Sequence, residues 1–492
     1  MRKKLIGLVF TVCLMCSACT AKNQSEQPQS SDLNQAKQLE IQTVQETEND
    51  SQSYWGTVAH NFAKGEGGYY YMDNGDSYLM FFDEETQESY PLCALPNCQH
   101  NTTDCNAYVG TQKGTGYLMQ TVYYYKDSLY LLNSEGFLVR FSPDGAQREK
   151  IVQVYQYGQG DTGTNLVFHN DYVYVYNMNQ HLGMEEEYAE TITRYSLDGK
   201  EQAVVAQYTG ASCAIMQAKC YGNQLFFIIS DVQKQNVNDK VVLNQAYKGL
   251  YVYRTDTMEA GRVLEQEVTG YCIDENTNKL FYFVKEKGLY SYDINTKEQK
   301  LLVEADEKNQ MPEISFDGQY IYMDNSAWAS ISKRMGKEVE KQCFVIDTNG
   351  NMIQQISGEK TQRIYFGDGN YLFAQTVIQK ISGGNSEYSY INKSLPGEWE
   401  WKAMEYTKFP LFTGIDRQDM VIADIRKDIA DGIYRNVPGL PAHVLAEKIY
   451  RNELVELADD EIHILDLYTS ASVGQLADSW QDYKKNNLET GK

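Results

Sequence analysis

The residues of this chain best suited to chemistry lie close together. Cys93-x4-Cys98-x-His100-x4-Cys105 puts three thiols and an imidazole within one short segment. Soft sulfur with nitrogen is the ligand set of structural zinc. The spacing is not that of a standard finger. Cys98 and His100, two positions apart, would share one side of an extended segment. Pro96-Asn97 favours a turn that brings Cys93 and Cys98 together. Three outcomes stay open: a disulfide or other structural thiol arrangement, a metal clip, or thiols with no shared role. With four protein ligands a bound zinc would have no open position and would serve structure.

Cysteine arithmetic bears on the choice. Of ten cysteines, Cys13 and Cys16 lie in an apolar run and Cys19 follows the small pair Ser17-Ala18. The remaining seven are Cys93, Cys98, Cys105, Cys213, Cys220, Cys272 and Cys343. An odd number cannot all pair within one chain. Cys213 and Cys220 are near enough in sequence to pair with each other.

Other candidates are weaker. Asp161, Glu185, Glu186 and Glu187 could bind a cation but read as a solvated acidic loop. His169 and His181 have no Asp or Ser partner at hydrolase spacing. Gly114-x-Gly116 lacks the strand-then-helix context of a phosphate loop. Trp55, Trp328, Trp399, Trp401 and Tyr388 could form an aromatic platform for a sugar or peptide, or simply pack. Met216, Met311 and Met323 read as core filler. No catalytic constellation and no cofactor-binding motif emerges.

The elements that position these residues begin with the N-terminus. Arg2-Lys3-Lys4, the apolar run Leu5 to Cys16 and Ser17-Ala18 make a secretory leader over 1–18. The run is short of the ~20 apolar residues of a spanning helix. Cys19 after the small pair resembles the lipobox of bacterial lipoproteins, with Cys16 where Leu is commonest. That resemblance implies cleavage before Cys19 and lipidation of its thiol; an ordinary leader cut at Ala18 is the alternative. Residues 19–54 are rich in Gln, Ser, Glu and Asn and read as a disordered tether, with a weakly helical piece admitted over Leu33 to Val44.

From Trp55 the texture becomes repetitive. Tyr-rich or aliphatic strands start near Tyr69, Leu129, Val173, Leu225, Leu280, Tyr320 and Tyr371, about 50 residues apart. Second strands ending in polar turns follow, as in Leu138 to Gly145, Ile192 to Lys200 and Cys343 to Asn351. Three to four short strands per unit at this period predict an all-β fold, a β-propeller over 55–412. Seven blades fit best; six or eight also accommodate the uneven first and last intervals, and a pair of β-sandwiches is the competing architecture. The 39 tyrosines suit half-buried strands whose hydroxyls stay wet. Residues 413–492 read as a small, mainly helical appendage, with apolar periodicity over Arg417 to Tyr434 and Ala442 to Leu457.

Formal net charge is −23, and loss of the leader makes it three units more negative. Such a chain is repelled by nucleic acid and by anionic lipid surfaces, so a lipid on Cys19 would be its membrane attachment.

The lipobox, the Tyr-rich blades and the segment C-A-L-P-N-C-Q-H…C-x-A (Cys93 to Ala107) together resemble a group of Gram-positive propeller lipoproteins, over roughly 1–20 and 55–412. The blades are similar to those of low-density-lipoprotein-receptor propellers. They lack Y-W-T-D, and the nearest match is Y-x-Y-M-D-N at Tyr69 and Tyr320, so that receptor's ligand mode does not carry over. The resemblance implies a lipid-anchored protein on the extracellular side of the cell membrane. Three functional classes are consistent with these features. One is a binding or sensing module for a peptide, glycan or protein; another is an extracellular hydrolase or lyase with paired carboxylates at the channel. A metal or thiol role of Cys93 to Cys105 is the third.

Overall fold

The structure, a computed structural model, describes residues 30–44, 62–73, 78–100, 104–109, 122–133, 135–154, 164–177, 187–237, 240–334, 336–357, 362–366, 368–378, 385–394 and 399–404. The leader, Cys19 and the expected appendage at 413–492 lie outside them.

A two-residue strand, β1 (Ser31–Asp32), precedes seven antiparallel meanders. The first is β2 (Phe62–Gly65), β3 (Gly68–Asp73), β4 (Tyr78–Asp83) and β5 (Ser89–Pro91). The second is β6 (Tyr123–Tyr125), β7 (Ser128–Leu132), β8 (Phe137–Phe141) and β9 (Arg148–Gln153). The third is β10 (Thr164–His169), β11 (Tyr172–Asn177), β12 (Glu187–Ser196) and β13 (Gln202–Ala211). The fourth is β14 (Ala214–Tyr221), β15 (Gln224–Val237), β16 (Lys240–Arg254) and β17 (Glu259–Leu264). The fifth is β18 (Val268–Asp274), β19 (Lys279–Val284), β20 (Gly288–Asp293) and β21 (Gln299–Glu304). The sixth is β22 (Glu313–Phe316), β23 (Ile321–Asp324), β24 (Gln342–Ile346) and β25 (Met352–Ser357). The seventh is β26 (Gln362–Phe366), β27 (Tyr371–Ile378), β28 (Asn385–Asn392) and β29 (Lys402–Ala403).

Seven buried clusters join these sheets in a circle. Each spans one interface between sequence neighbours, and the cluster holding Phe62, Tyr69 and Phe82 with Tyr371, Phe373 and Tyr390 joins the seventh sheet to the first. The fold is a seven-bladed β-propeller. Six expected strand starts lie within the second strand of a blade, and Tyr320 stands one residue before β23.

The middle strands are legible because a blade is sandwiched between two others. All six residues of β3 are buried, whichever way they point, so the strand is apolar on both faces from Tyr69 to Met72. The tyrosines depart from expectation. Tyr69, Tyr71, Tyr174, Tyr271, Tyr282 and Tyr322 are almost wholly buried, and several hydroxyls work between blades. Tyr271 donates to the Phe226 carbonyl at 2.8 Å, Tyr388 to the Met72 carbonyl at 2.9 Å, and Tyr176 accepts from the Ala218 N–H at 3.1 Å. Burying a hydroxyl without a partner is costly, and for these three a neighbouring blade's backbone supplies one.

The two faces of the ring differ. First-to-second strand connections are tight: Lys126-Asp127 and Asn170-Asp171 have positive φ at both positions, the twist a two-residue hairpin demands. Third-to-fourth connections turn on an aspartate whose Oδ1 accepts backbone N–H groups two or three residues on, as at Asp83, Asp293 and Asp347. In an antiparallel meander both sets lie on one face. The opposite face carries the insertions. These are helix α1 (Ser326–Arg334) between β23 and β24, the extension of β15 and β16 beyond Ser230 and Tyr247, and the segment after β5.

Residues 30–44 correct the expected tether. They are packed on blades three to five, with one turn of 3-10 helix at Leu33–Gln35 in place of a longer helical piece. β1 pairs in parallel with the outer edge of β13, and Leu33 is buried in the core between blades three and four. Gln38 bridges to Arg262 on β17, where the Leu39 N–H donates to the Arg262 carbonyl at 2.8 Å and the Arg262 N–H to the Lys37 carbonyl at 2.9 Å. Gly261 lets this approach happen, since a Cβ there would lie 2.5 Å from Leu39 Cγ. The Gln224 side chain then pairs with both the N–H and the carbonyl of Gln42, at 2.8 and 2.7 Å. Open edges of outer strands offer unpaired backbone groups, and this polar segment satisfies them. The remainder of 19–54 lies outside the described residues.

Candidate metal centre

The cysteine segment leaves β5 on the insertion face. The Leu92 N–H donates to the Leu79 carbonyl at 2.9 Å, one last rung of the outer strand. The chain then turns at Pro96-Asn97, with Asn97 at φ +58° and the Cys98 N–H on the Leu95 carbonyl at 3.3 Å. This turn returns Cys98 towards Cys93, as its residues suggest. Cys98 and His100 do not share a side of extended backbone. His100 takes φ +51°, and its N–H meets Cys98 Sγ at 3.4 Å. His100 Nδ1 stands 3.3 Å from Cys105 Sγ. The Tyr78 hydroxyl donates to the His100 carbonyl.

One ligand atom from each of Cys93, Cys98, His100 and Cys105 lies within 4.8 Å of all the others. A tetrahedral zinc site with metal–ligand bonds of about 2.0–2.3 Å needs edges of roughly 3.3–3.8 Å. Small side-chain movements would therefore close the four groups on an ion. Backbone N–H groups of Leu95 and Asn106 point at Cys93, and that of Ala107 at Cys105, the outer support that fixes and stabilises thiolate ligands. The cluster could hold a metal such as zinc. Among the described residues it is the one group of three or more such side chains so placed.

Electrostatics separate the ligands. Burial pushes the Cys93 thiol up, but the Leu95 and Asn106 N–H groups, with Cys105 and Cys98, outweigh it and leave its pKa below the ordinary value. Cys105 is pushed up to about 12, first by burial and then by the adjacent thiols, with the Ala107 N–H opposing. Burial lowers His100, favouring the neutral ring a metal requires.

No disulfide joins any of Cys93, Cys98, Cys105, Cys213, Cys220, Cys272 and Cys343. Cys213, near enough to Cys220 in sequence to pair with it, instead directs its Sγ to the Tyr188 carbonyl at 3.4 Å. The segment after Cys105 is anchored from two sides. The Leu79 N–H donates to the Ala107 carbonyl at 2.7 Å, and Tyr78 bridges to Tyr108. From blade two, the Arg148 guanidinium reaches the carbonyls of Asn106 and Tyr108. Nothing in the sequence marked Arg148 or the N–H donors.

The other candidates disperse. His169 is buried in β10 beside the Asn170 amide, at 2.9 Å; His181, Asp161, Glu185, Glu186, Gly114, Gly116 and Trp55 lie outside the described residues, and Glu187 is exposed at the start of β12. Trp328 is buried on α1 and donates to the Glu307 carbonyl. Trp399 and Trp401 pack between blades six and seven, whereas Tyr388 lies between seven and one. They form no common platform. Met216 and Met323 are in the core. The buried carboxylates Asp274, Asp317 and Asp324 each hold their own turn, through the N–H groups of Asn276, Gln319 and Ser326. Among the described residues no helix is long and apolar enough to cross a membrane.

No known protein family matches the sequence, and no curated protein does. Among solved structures the chain is similar to Raptor from Chaetomium thermophilum, at 11% identity and a TM-score of 0.40, over 71% of this chain and 29% of that one. It is also similar to a chain of the mitotic checkpoint complex, at 10% identity and a TM-score of 0.37, over 69% of this chain and 94% of that one. The chain thus spans less than a third of the Raptor chain's length, and the seven-bladed assignment stands on its own sheets.

Proposed function

We propose that this chain is a lipoprotein, anchored through lipidated Cys19 on the extracellular side of the cell membrane, whose propeller is a binding or sensing module for a protein, peptide or glycan. The observation that carries the binding reading is the asymmetry of the ring. In blades one to six one face carries only short turns, while the other bears α1, the lengthened β15–β16 hairpin and the cysteine segment. Connections longer than closure requires are where a scaffold carries recognition. The basic start, short apolar run and Ser17-Ala18-Cys19 support the anchor. The acidic charge argues against nucleic acid as a partner. One zinc ion on Cys93, Cys98, His100 and Cys105 is the structural cofactor in this reading.

Two measurements test it. Growth with a clickable fatty acid should label the wild type and not Cys19→Ala; equal labelling would overturn the anchor. The folded part, screened on peptide and glycan arrays, should bind a defined class, and shortening the β15–β16 extension or replacing α1 should reduce that binding. Binding insensitive to every insertion, or none across broad arrays, would overturn the binding reading.

A further inference from the structure

The blades that meet where the ring closes are built differently from the rest. Blades two to six end in outer strands of six to ten residues, β9, β13, β17, β21 and β25. β5 has three residues and β29 two. No described strand from one end of the chain enters the sheet at the other, since the first sheet is β2 to β5 and the seventh is β26 to β29. Side chains hold the junction: Phe62 stacks on Phe373 with centroids 4.5 Å apart, and the Tyr69 hydroxyl donates to Asp368 at 2.7 Å.

Where β5 stops, the cysteine segment takes over its edge. β5 pairs with β4 only from Met80 to Phe82. Leu79 and Tyr78 are covered by Ala107 and Tyr108. Cys105, Ala107 and Tyr108 are buried in the same cluster as Phe373 and Tyr388 of blade seven. The outer strand of blade one is therefore made of two pieces, separated by the long excursion that carries the four ligands. Two short pieces pair weakly with an edge unless something fixes the excursion between them.

We propose that a zinc ion held by Cys93, Cys98, His100 Nδ1 and Cys105 is the clasp of the ring, fixing residues 105–109 on β4 and sealing the junction of blades seven and one. The clasp rests on the zinc reading above, and the experiment separates the two. The full chain is purified and its metal measured by plasma mass spectrometry and by cobalt absorption. Hydrogen exchange is then followed before and after a strong chelator, at β4 and, as internal reference, at β15. The clasp requires stoichiometric zinc, a four-coordinate thiolate cobalt spectrum, and exchange at Tyr78–Asp83 that rises roughly tenfold on metal removal while β15 is unchanged. His100→Cys should keep both metal and protection, and His100→Ala should lose both. A chain that takes up neither zinc nor cobalt overturns the metal reading and the clasp with it. A chain that binds metal but whose β4 exchange is indifferent to its removal overturns the clasp alone.

Discussion

Blades three to five and the junction of blades seven and one lie on opposite sides of the ring, and each is held by an added piece of chain. On the first side residues 30–44 run across complete outer strands, using backbone rungs at β13 and β17, the Gln42–Gln224 pair and the buried Leu33. On the second side the added piece replaces a strand that is too short, and four potential metal ligands sit at its root. The strap reinforces sheets that are already whole, so it can rely on many modest contacts. The cysteine segment has only a few rungs, so one strong local constraint does more there.

Substitutions can break or sharpen that contrast. The largest effect is expected at Leu33, where Leu33→Ala should lower stability by about 2–4 kcal/mol through lost burial and a cavity, read from urea unfolding. A change under about 0.5 kcal/mol would mean the strap is a passenger. Next come two matched deletions of hydrogen bonds. Gln224→Ala removes both rungs to Gln42 and should cost about 1–2 kcal/mol; Tyr388→Phe leaves the Met72 carbonyl without its inter-blade donor and should cost about 1 kcal/mol. If Tyr388→Phe is clearly the costlier, the junction depends on side chains more than the strap depends on rungs.

A pH effect gives a reference in blade six, which neither device covers. Burial raises the Asp324 carboxyl above its ordinary value, with the Ser326 hydrogen bond opposing. The folded state then keeps its proton after the unfolded chain has released it. Stability from this group is present below the unfolded value and declines as pH rises through the folded one. Asp324→Asn should flatten that decline in denaturation curves taken across the acid range; an unchanged slope would assign it to other groups. The smallest effect is expected at Glu40, whose exposed carboxylate pairs with Lys297 at 2.8 Å and is held below the ordinary value by it. Glu40→Gln should leave the melting temperature unchanged within error; a clear drop would give the strap's end more weight than its buried middle.

Much of the propeller was legible because a blade's second strand is buried on both sides. VYVYN at Val173 and LFFIIS at Leu225 cannot be mistaken for surface. The first strands, such as FAKG at Phe62, gave little signal because they are short, whereas outer strands show through short apolar stretches such as Ile151 to Val154, which reach into β9 but not to its wet start at Arg148. The strap of residues 30–44 is hidden in the sequence for a physical reason. SDLNQAKQLEIQTV is polar overall, and its stability comes from backbone groups finding open edges, which composition does not record. At the cysteine segment, residue types and the Pro96-Asn97 turn announced the site. The left-handed His100 that brings its ring to Cys105 was not legible, because a non-glycine residue adopts that conformation only when its surroundings impose it.

Binding of residues 30–44 also shortens the leash. With Cys19 lipidated as proposed, only ten residues lie between the anchor and Ser30, a reach of at most about 40 Å even when fully extended. The propeller would then be moored by its rim at blade three, close over the bilayer, with little freedom to roam. Any partner would have to come to it within that narrow layer.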